Sequence, residues 1–523
     1  MDHPVREPFS RNTSRRQVSG VYSFSAPVAG WNARDALASM KINEAIHLVN
    51  WFPKPSYVEI RGGSSDHATG MTGTGKTLAT HNTLSGANQM FCLTASGVYN
   101  VTSAGAVGSS LAARTNGKHQ WVNFGDGTTN YLILCNGVDK PLYYDGATWT
   151  AVDGITSPAL TGVTSTDLIS PMVFKGRLMF IQKSSLSFWY LAAGAAGGAL
   201  TRFPLDGEAV RGGYLMAAAN WTFDGGDGGD DYAVFVTSEG EAIIYKGTNP
   251  SSAADWLKVG SYFIGKPLGR RCLIKAGGDL LILTQNGAFP LSAALQSTSI
   301  DYRMALSFKI ENAFTDQARS TGTTFGWEAV VYPAQAALIV NVPIVEDGEH
   351  EQYVMNTITK AWCKFTGWNA EDFAIFNGEL YFVIGTKVVK AWTGTADGDN
   401  EIVAYAKTAF SYLGTPGKLK QIKMFRPVLS INGQMTFLTD VDVDFQDNPI
   451  TGTATYSVVS GALWDVAKWD EAYWASGLEV VKNWTSPADN TGYCVAGKIK
   501  VNTDSLTVQW MANDIMYEVG GGL

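Results

Sequence analysis

Along much of this chain, apolar residues come in short unbroken runs. A glycine turn follows each run, and a second apolar run follows the turn. "MFCLTASGVYNVT" turns at Ser96-Gly97, "YLILCNGVDKPLYYDG" at Asn136-Gly137 and "VFKGRLMFI" at Lys175-Gly176. "YAVFVTSEGEAIIYKG" turns at Glu239-Gly240, "LLILTQNGAFPLS" at Asn286-Gly287 and "FAIFNGELYFVIG" at Asn377-Gly378. Asn-Gly and related pairs supply the positive backbone angles of two-residue hairpins. The pattern predicts an all-β protein. Several intervals approach the roughly 40–50 residues of a four-stranded propeller blade. The expected fold is therefore a β-propeller over residues 66–400, which leaves only short, protected sheet edges. A pair of stacked sandwiches is the alternative. Residues 1–65 and 401–523 are expected to form a β-rich platform beside the propeller.

One segment breaks the β pattern. In "MALSFKIENAFTDQARS", near residues 304–320, Leu306, Ile310, Ala313, Phe314 and Ala318 share one face at helical spacing. This predicts an amphipathic helix, packed on the β core or lying between subunits, with Phe314 as a candidate subunit contact. Further on, "KLKQIKMFRPVLSINGQMTFLTDVDVDF" reads as one long hairpin turning at Asn432-Gly433. That register sets Ile422 and Met424 opposite Val443 and Val441, and Lys423 opposite Asp442. It also aligns Asp440, Asp442 and Asp444 on one solvated face, the candidate wall of a lumen. "WDVAKWDEAYWASG" supplies Trp464, Trp469 and Trp474, aromatic anchors suited to a subunit-facing surface.

Composition narrows the function. Of 523 residues only 16% are charged, 56 are glycine, and the net charge is −8. That balance opposes a broad phosphate-neutralising surface. It leaves room for a passage through which DNA slides. Five cysteines, Cys92, Cys135, Cys272, Cys363 and Cys494, stand singly in apolar runs, as buried reduced thiols of a protein made in a cytoplasm would. The N-terminus lacks the apolar stretch of a signal peptide, and no run of about 18 apolar residues suggests a membrane span.

Motifs for catalysis are sparse. "GMTGTGKTLATH" spells a phosphate-binding loop from Gly70 to Thr77, but turn and strand signals follow it where that loop requires a helix. It reads as a turn between strands. The six histidines show no zinc spacing, and no GxSxG is present. "FDGGDGGDDY" resembles a calcium loop in composition only, across Asp224, Asp227, Asp230 and Asp231, and lacks the closing glutamate. "YYDGATWT", Tyr143 to Thr150, is similar to the aspartate-box turn of sialidase-like propellers, a structural device in which Asp145 caps amides and Trp149 packs. Paired glycosidase carboxylates meet only in space and leave no local signal. No catalytic residue, metal or cofactor is expected.

A set of blocks resembles the tail nozzle proteins of short-tailed bacteriophages, also called phage stabilisation or tail tubular proteins. They are Gly30-Trp31-Asn32, Asp35, Ala45, Asn50-Trp51-Phe52-Pro53, Arg61-Gly62 and His67-Ala68-Thr69-Gly70, with "GTNPSSAADWLKVGSYFIGKPLG", "MNTITKAWCKFTGW" and "FNGELYF". The resemblance implies a structural virion protein of the tail, assembled in the host cytoplasm. It implies a hexameric ring below the portal and adaptor that holds the packaged genome and conducts double-stranded DNA during ejection, without reading its sequence. It also implies attachment surfaces for fibres or spikes, no enzymatic activity and no membrane insertion. A tail-borne propeller that binds or hydrolyses glycans is the alternative.

Overall fold

The computed structural model describes residues 19–520, apart from 84, 225–228, 296–301, 457–478, 482 and 488–490. Among the described residues, Glu311–Thr321 is the one helix longer than a single turn, and strands make up most of the rest. The protein is a β-propeller carrying a β-sandwich platform.

Seven small antiparallel sheets follow one another along the chain. The first holds Gly75–His81, Gln89–Thr94 and Val98–Asn100, and the second Gln120–Gly125, Asn130–Cys135, Leu142–Tyr144 and Trp149–Ala151. The third holds Leu168–Phe174, Arg177–Gln182, Ser187–Tyr190 and Thr201–Pro204, and the fourth Leu215–Asp224, Gly229–Thr237, Glu241–Lys246 and Leu257–Phe263. The fifth has three strands, Leu273–Ala276, Asp279–Thr284 and Gly287–Pro290. The sixth holds Glu328–Tyr332, Ala337–Pro343, His350–Asn356 and Trp362–Phe365. The seventh, Asp372–Phe376, Glu379–Ile384 and Lys387–Ala391, gains a fourth strand from far upstream, Ser64–Thr69. The first strand of each sheet touches that of the next, and Asp372–Phe376 touches Gly75–His81. The ring therefore closes on itself, with sequence-distant strands joining the seventh blade.

Unbroken apolar runs form blades because each blade is buried on both faces. In "YLILC", Leu132 and Leu134 pack with Phe91 and Leu93 of the first blade. The alternate residues Ile133 and Cys135 pack with Leu178 and Phe180 of the third. The predicted turns close the hairpins. Lys175-Gly176 has φ of 47° and 69°, and Asn377-Gly378 has 50° and 84°, the left-handed pair that matches strand twist. At the YYDGATWT turn, Asp145 Oδ1 accepts from the Ala147 and Thr148 amides at 2.8 and 2.7 Å, and Trp149 stacks on Tyr144.

The platform draws on both ends of the chain. One sheet contains Gly20–Ser25, Trp51–Pro53, Val58–Ile60, Lys420–Ile431 and Val508–Val519. The other contains Ala45–Val49, Ile402–Thr408, Met435–Val443, Thr453–Tyr456 and Val495–Thr503, and it runs on from the sixth blade through the pair Val49↔Lys364. Ile422, Phe425 and Ile515 of the first sheet meet Val441, Val443 and Val495 of the second.

This arrangement corrects the hairpin expectation. Lys420–Ile431 pairs with Val508–Val519, and Met435–Val443 pairs with Val495–Thr503, so the strands flanking Asn432-Gly433 lie in different sheets. Matching apolar alternation arises equally when two strands face each other across a sandwich core. Lys423 instead forms an ion pair with Glu518 at 3.3 Å.

Candidate functional site: the propeller axis and its joint with the sandwich

The axis of the propeller is lined by the first strands of the blades and holds two adjoining cavities. One, about 480 Å³, is walled by Ser170, Ala218, Ile274, Ala329 and Phe373. The other, about 340 Å³, forms a mouth among Asn116, Lys118, Thr323, Thr324, Phe325 and Glu346. Gln120, Arg270 and Arg271 border both.

Arg271 ties the hub together. Its Nη1 donates to Asp372 Oδ1 of the seventh blade at 2.7 Å and lies 3.4 Å from Glu328 Oε2 of the sixth. Its Nη2 donates to Thr77 Oγ1 and the Lys76 carbonyl in the first blade, at 2.7 and 3.0 Å, and to the His119 carbonyl leading into the second, at 3.3 Å. One planar guanidinium thus spans the seam where the ring closes. The carboxyls are also held by backbone: Asp372 accepts from the Leu78 amide at 2.5 Å and Glu328 from the Phe373 amide at 2.8 Å. Burial, then the neighbouring Asp372 charge, pushes the Glu328 carboxyl well above the usual range. Burial pushes the His119 imidazole down to about 4.

Paired carboxyls do therefore meet at the axis, a feature with no local sequence signal. Both contact the same guanidinium nitrogen, at 3.4 and 2.7 Å. This is a clamp between blades.

Lys76 adjoins this cluster, its carbonyl accepting from Arg271. Gly75–His81 is a strand, so no helix N-terminus faces a phosphate. Lys76 Nζ contacts Asp347 at 2.6 Å and Glu371 at 2.8 Å, and Glu371 is buried.

Several of the resemblance blocks meet at a second place, the joint between propeller and sandwich. Asn50 has φ of 58°, a left-handed bend that asparagine tolerates, and it separates Ala45–Val49 from Trp51–Pro53, sending them to different sheets. Asn50 Oδ1 accepts from Arg61 Nε at 3.0 Å and from the Thr366 amide at 2.9 Å, and its Nδ2 donates to the Val403 carbonyl at 2.8 Å. Arg61, with no exposed side chain, donates to the Thr366 carbonyl at 2.7 Å and to Asp397 Oδ1 at 3.0 Å, and lies over the Trp368 ring. A Cβ at Gly63 would sit 1.9 Å from the Ala396 carbonyl oxygen, so only glycine fits there. The Trp31 amide donates to the Trp362 carbonyl at 2.6 Å, and its ring meets Tyr353 edge-on. Asn32 holds Asp35 and Glu44, which both pair with Lys309 before the helix.

The other sequence candidates divide. Phe314 is fully buried against Trp327 and Tyr353 of its own chain, so it is no subunit contact: the helix packs on the β core. Asp442 is fully buried between Lys407 (2.7 Å) and Lys498 (2.6 Å). Asp440 is buried and accepts from Thr451 Oγ1 at 3.0 Å. Asp444 lies past the strand end, is exposed, and accepts from the Tyr493 amide at 2.7 Å. The three do not form a solvated row, and the lumen-wall expectation fails because the second sheet supplies lysines at their side. Replacing all three with lysine would crowd ammonium groups in the core. Trp464, Trp469 and Trp474 lie outside the described residues. So does Asp227, while Asp231 contacts Lys175 and accepts from Thr222. Among the described residues no cluster of three metal-ligating side chains occurs. The five cysteines are buried and unpaired.

No protein-family model matches the chain, and no curated protein matches it. Among solved structures it is similar to BBS1N in complex with ARL6DN, with 11% identity, TM-score 0.38, and coverage of 65% of this chain and 99% of that one. It is also similar to Raptor of Chaetomium thermophilum, at 10% identity and TM-score 0.38 over 65% of this chain and 30% of that one. YCF48 bound to D1 peptide matches at 11% identity and TM-score 0.31, over 53% and 97%. The closed ring of sheets itself defines the fold.

Proposed function

We propose that this chain is a structural protein of a bacteriophage tail, the nozzle ring below the portal and adaptor. In this reading it assembles as a hexamer, retains the packaged genome, passes double-stranded DNA during ejection without reading its sequence, and gives fibres or spikes a place to attach. The observation that carries the reading is that several of the resemblance blocks meet at one buried joint. Trp31, Asn50, Arg61 and the 355–368 segment are far apart in sequence, yet they fix propeller to sandwich in one connected network. A protein that must hold a pressurised duplex needs its parts rigidly joined, and buried, fully bonded polar networks supply such rigidity. The axial carboxyls serve as a clamp, which supports a non-enzymatic role.

Gold-labelled antibodies against the chain, applied to phage particles that contain it, test this. Label at the tail below the head is expected. Absence of the chain from intact particles, or release of sugar from host polysaccharide by the purified chain, contradicts the proposal.

A further inference from the structure

The cations around the axial mouth differ in how they are neutralised. Lys118 contacts Glu346, Lys183 contacts Asp167 at 3.1 Å, and Arg271 contacts Asp372 at 2.7 Å. Arg270 contacts no carboxylate among the described residues. Among the described residues it makes one hydrogen bond, from Nη1 to the Asn136 carbonyl at 3.2 Å. Lys183 is close by: a Cβ built on Gly137 would lie 3.5 Å from both Arg270 Nη1 and Lys183 Cδ. Lys183 already occupies the Gly137 carbonyl, at 2.7 Å. Burial lowers the Arg270 pKa, and the one group acting the other way is the Tyr214 phenol. A partly desolvated guanidinium without a counter-ion is unfavourable, and most of its fork of donors meets no protein acceptor among the described residues.

That fork borders a cavity of a size that holds small molecules, about 340 Å³, with Asn116, Thr323 and Thr324 in its wall. The adjoining cavity carries Lys275, which likewise makes no ion pair among the described residues. The one carboxylate in the wall of the mouth, Glu346, is contacted by Lys118.

We propose that the axial mouth is a binding site for a small oxyanion, a phosphate or a polycarboxylate, gripped by the Arg270 guanidinium. Guanidinium pairs bidentately with both groups. The site is independent of the nozzle reading and stands or falls without it.

The test uses the full chain, with calorimetric titration and thermal melting in inorganic phosphate, in citrate, and in sodium chloride of equal ionic strength. Saturable binding of one of the two anions is expected, and which one saturates separates the phosphate from the carboxylate source. Arg270→Gln should weaken that binding by roughly tenfold or more, the loss of a charge-assisted bidentate pair. It should melt no lower than the unaltered chain in chloride. Arg319→Gln, at an exposed helix position, should bind unchanged. The proposal is overturned if neither anion exceeds chloride, if Arg319→Gln weakens binding as much as Arg270→Gln, or if Arg270→Gln melts markedly lower in chloride.

Discussion

The propeller hub and the sandwich core each bury an ionic cluster, with opposite stoichiometry. At the hub, two carboxyls share one guanidinium, and one of them, Glu328, is driven towards its neutral form. In the sandwich, one fully buried carboxylate, Asp442, lies between two lysines, and the exposed Asp447 adds a second contact to Lys407 at 2.8 Å. At the hub, backbone amides also hold both carboxyls, and burial raises the Glu328 pKa. The sandwich has a single carboxylate at its centre, and removing it leaves two ammonium groups facing each other. Clusters that look equally polar in sequence should therefore respond very differently to substitution.

The largest effect is expected in the sandwich. Asp442→Ala should destabilise the chain by about 3–5 kcal/mol, the usual consequence of breaking a buried pair from one side. Asp442→Lys, alone or with lysine at 440 and 444, should yield insoluble protein. Denaturant melting and soluble yield decide this, and a triple-lysine chain as stable as the original would contradict the buried arrangement. Next comes Arg271→Met, which strips the hub of its cation and should cost about 3 kcal/mol. It should also raise amide exchange in Gly75–His81 and Asp372–Phe376, the strands at the ring seam; uniform exchange would deny Arg271 its closing role.

A smaller effect involves pH. His119 has a folded pKa of about 4 against 6.5, so its contribution is full above 6.5 and is lost as pH falls. Between pH 6.5 and about 5 the loss is on the order of 2 kcal/mol, and His119→Gln should flatten that part of the melting curve. Glu328 acts in the opposite sense. Its folded pKa is raised, so its contribution is full below about 4.5 and is lost as pH rises towards the folded value. Glu328→Gln mimics the neutral carboxyl at every pH, so it should leave stability below about pH 4.5 little changed and remove the decline above it, making the chain more stable at neutral pH. A loss as large as that of Arg271→Met would mean that Glu328 works as an anion.

The propeller was legible because its signals are local. Glycine turns such as Lys175-Gly176 and two-faced runs such as "YLILC" each report a hairpin within a dozen residues. The closing strand Ser64–Thr69 was not legible, since its partner Lys387–Ala391 lies some three hundred residues away. The same limit hid the hub: Arg271, Glu328 and Asp372 meet through the ring, and no spacing connects them. The acidic row misled for a related reason. Alternation on Met435–Val443 fixes which residues share a face, but the lysines that bury that face come from Ile402–Thr408 and Val495–Thr503. Phe314 was placed on the correct face of the correct helix, and the body that covers that face is the chain's own core.

The nozzle account stands most directly on assembly. Single-particle electron microscopy of the purified chain, across a range of concentrations, should show closed six-fold rings with a central opening wide enough for duplex DNA. Monomers at every concentration, or rings whose centre is blocked, would contradict it.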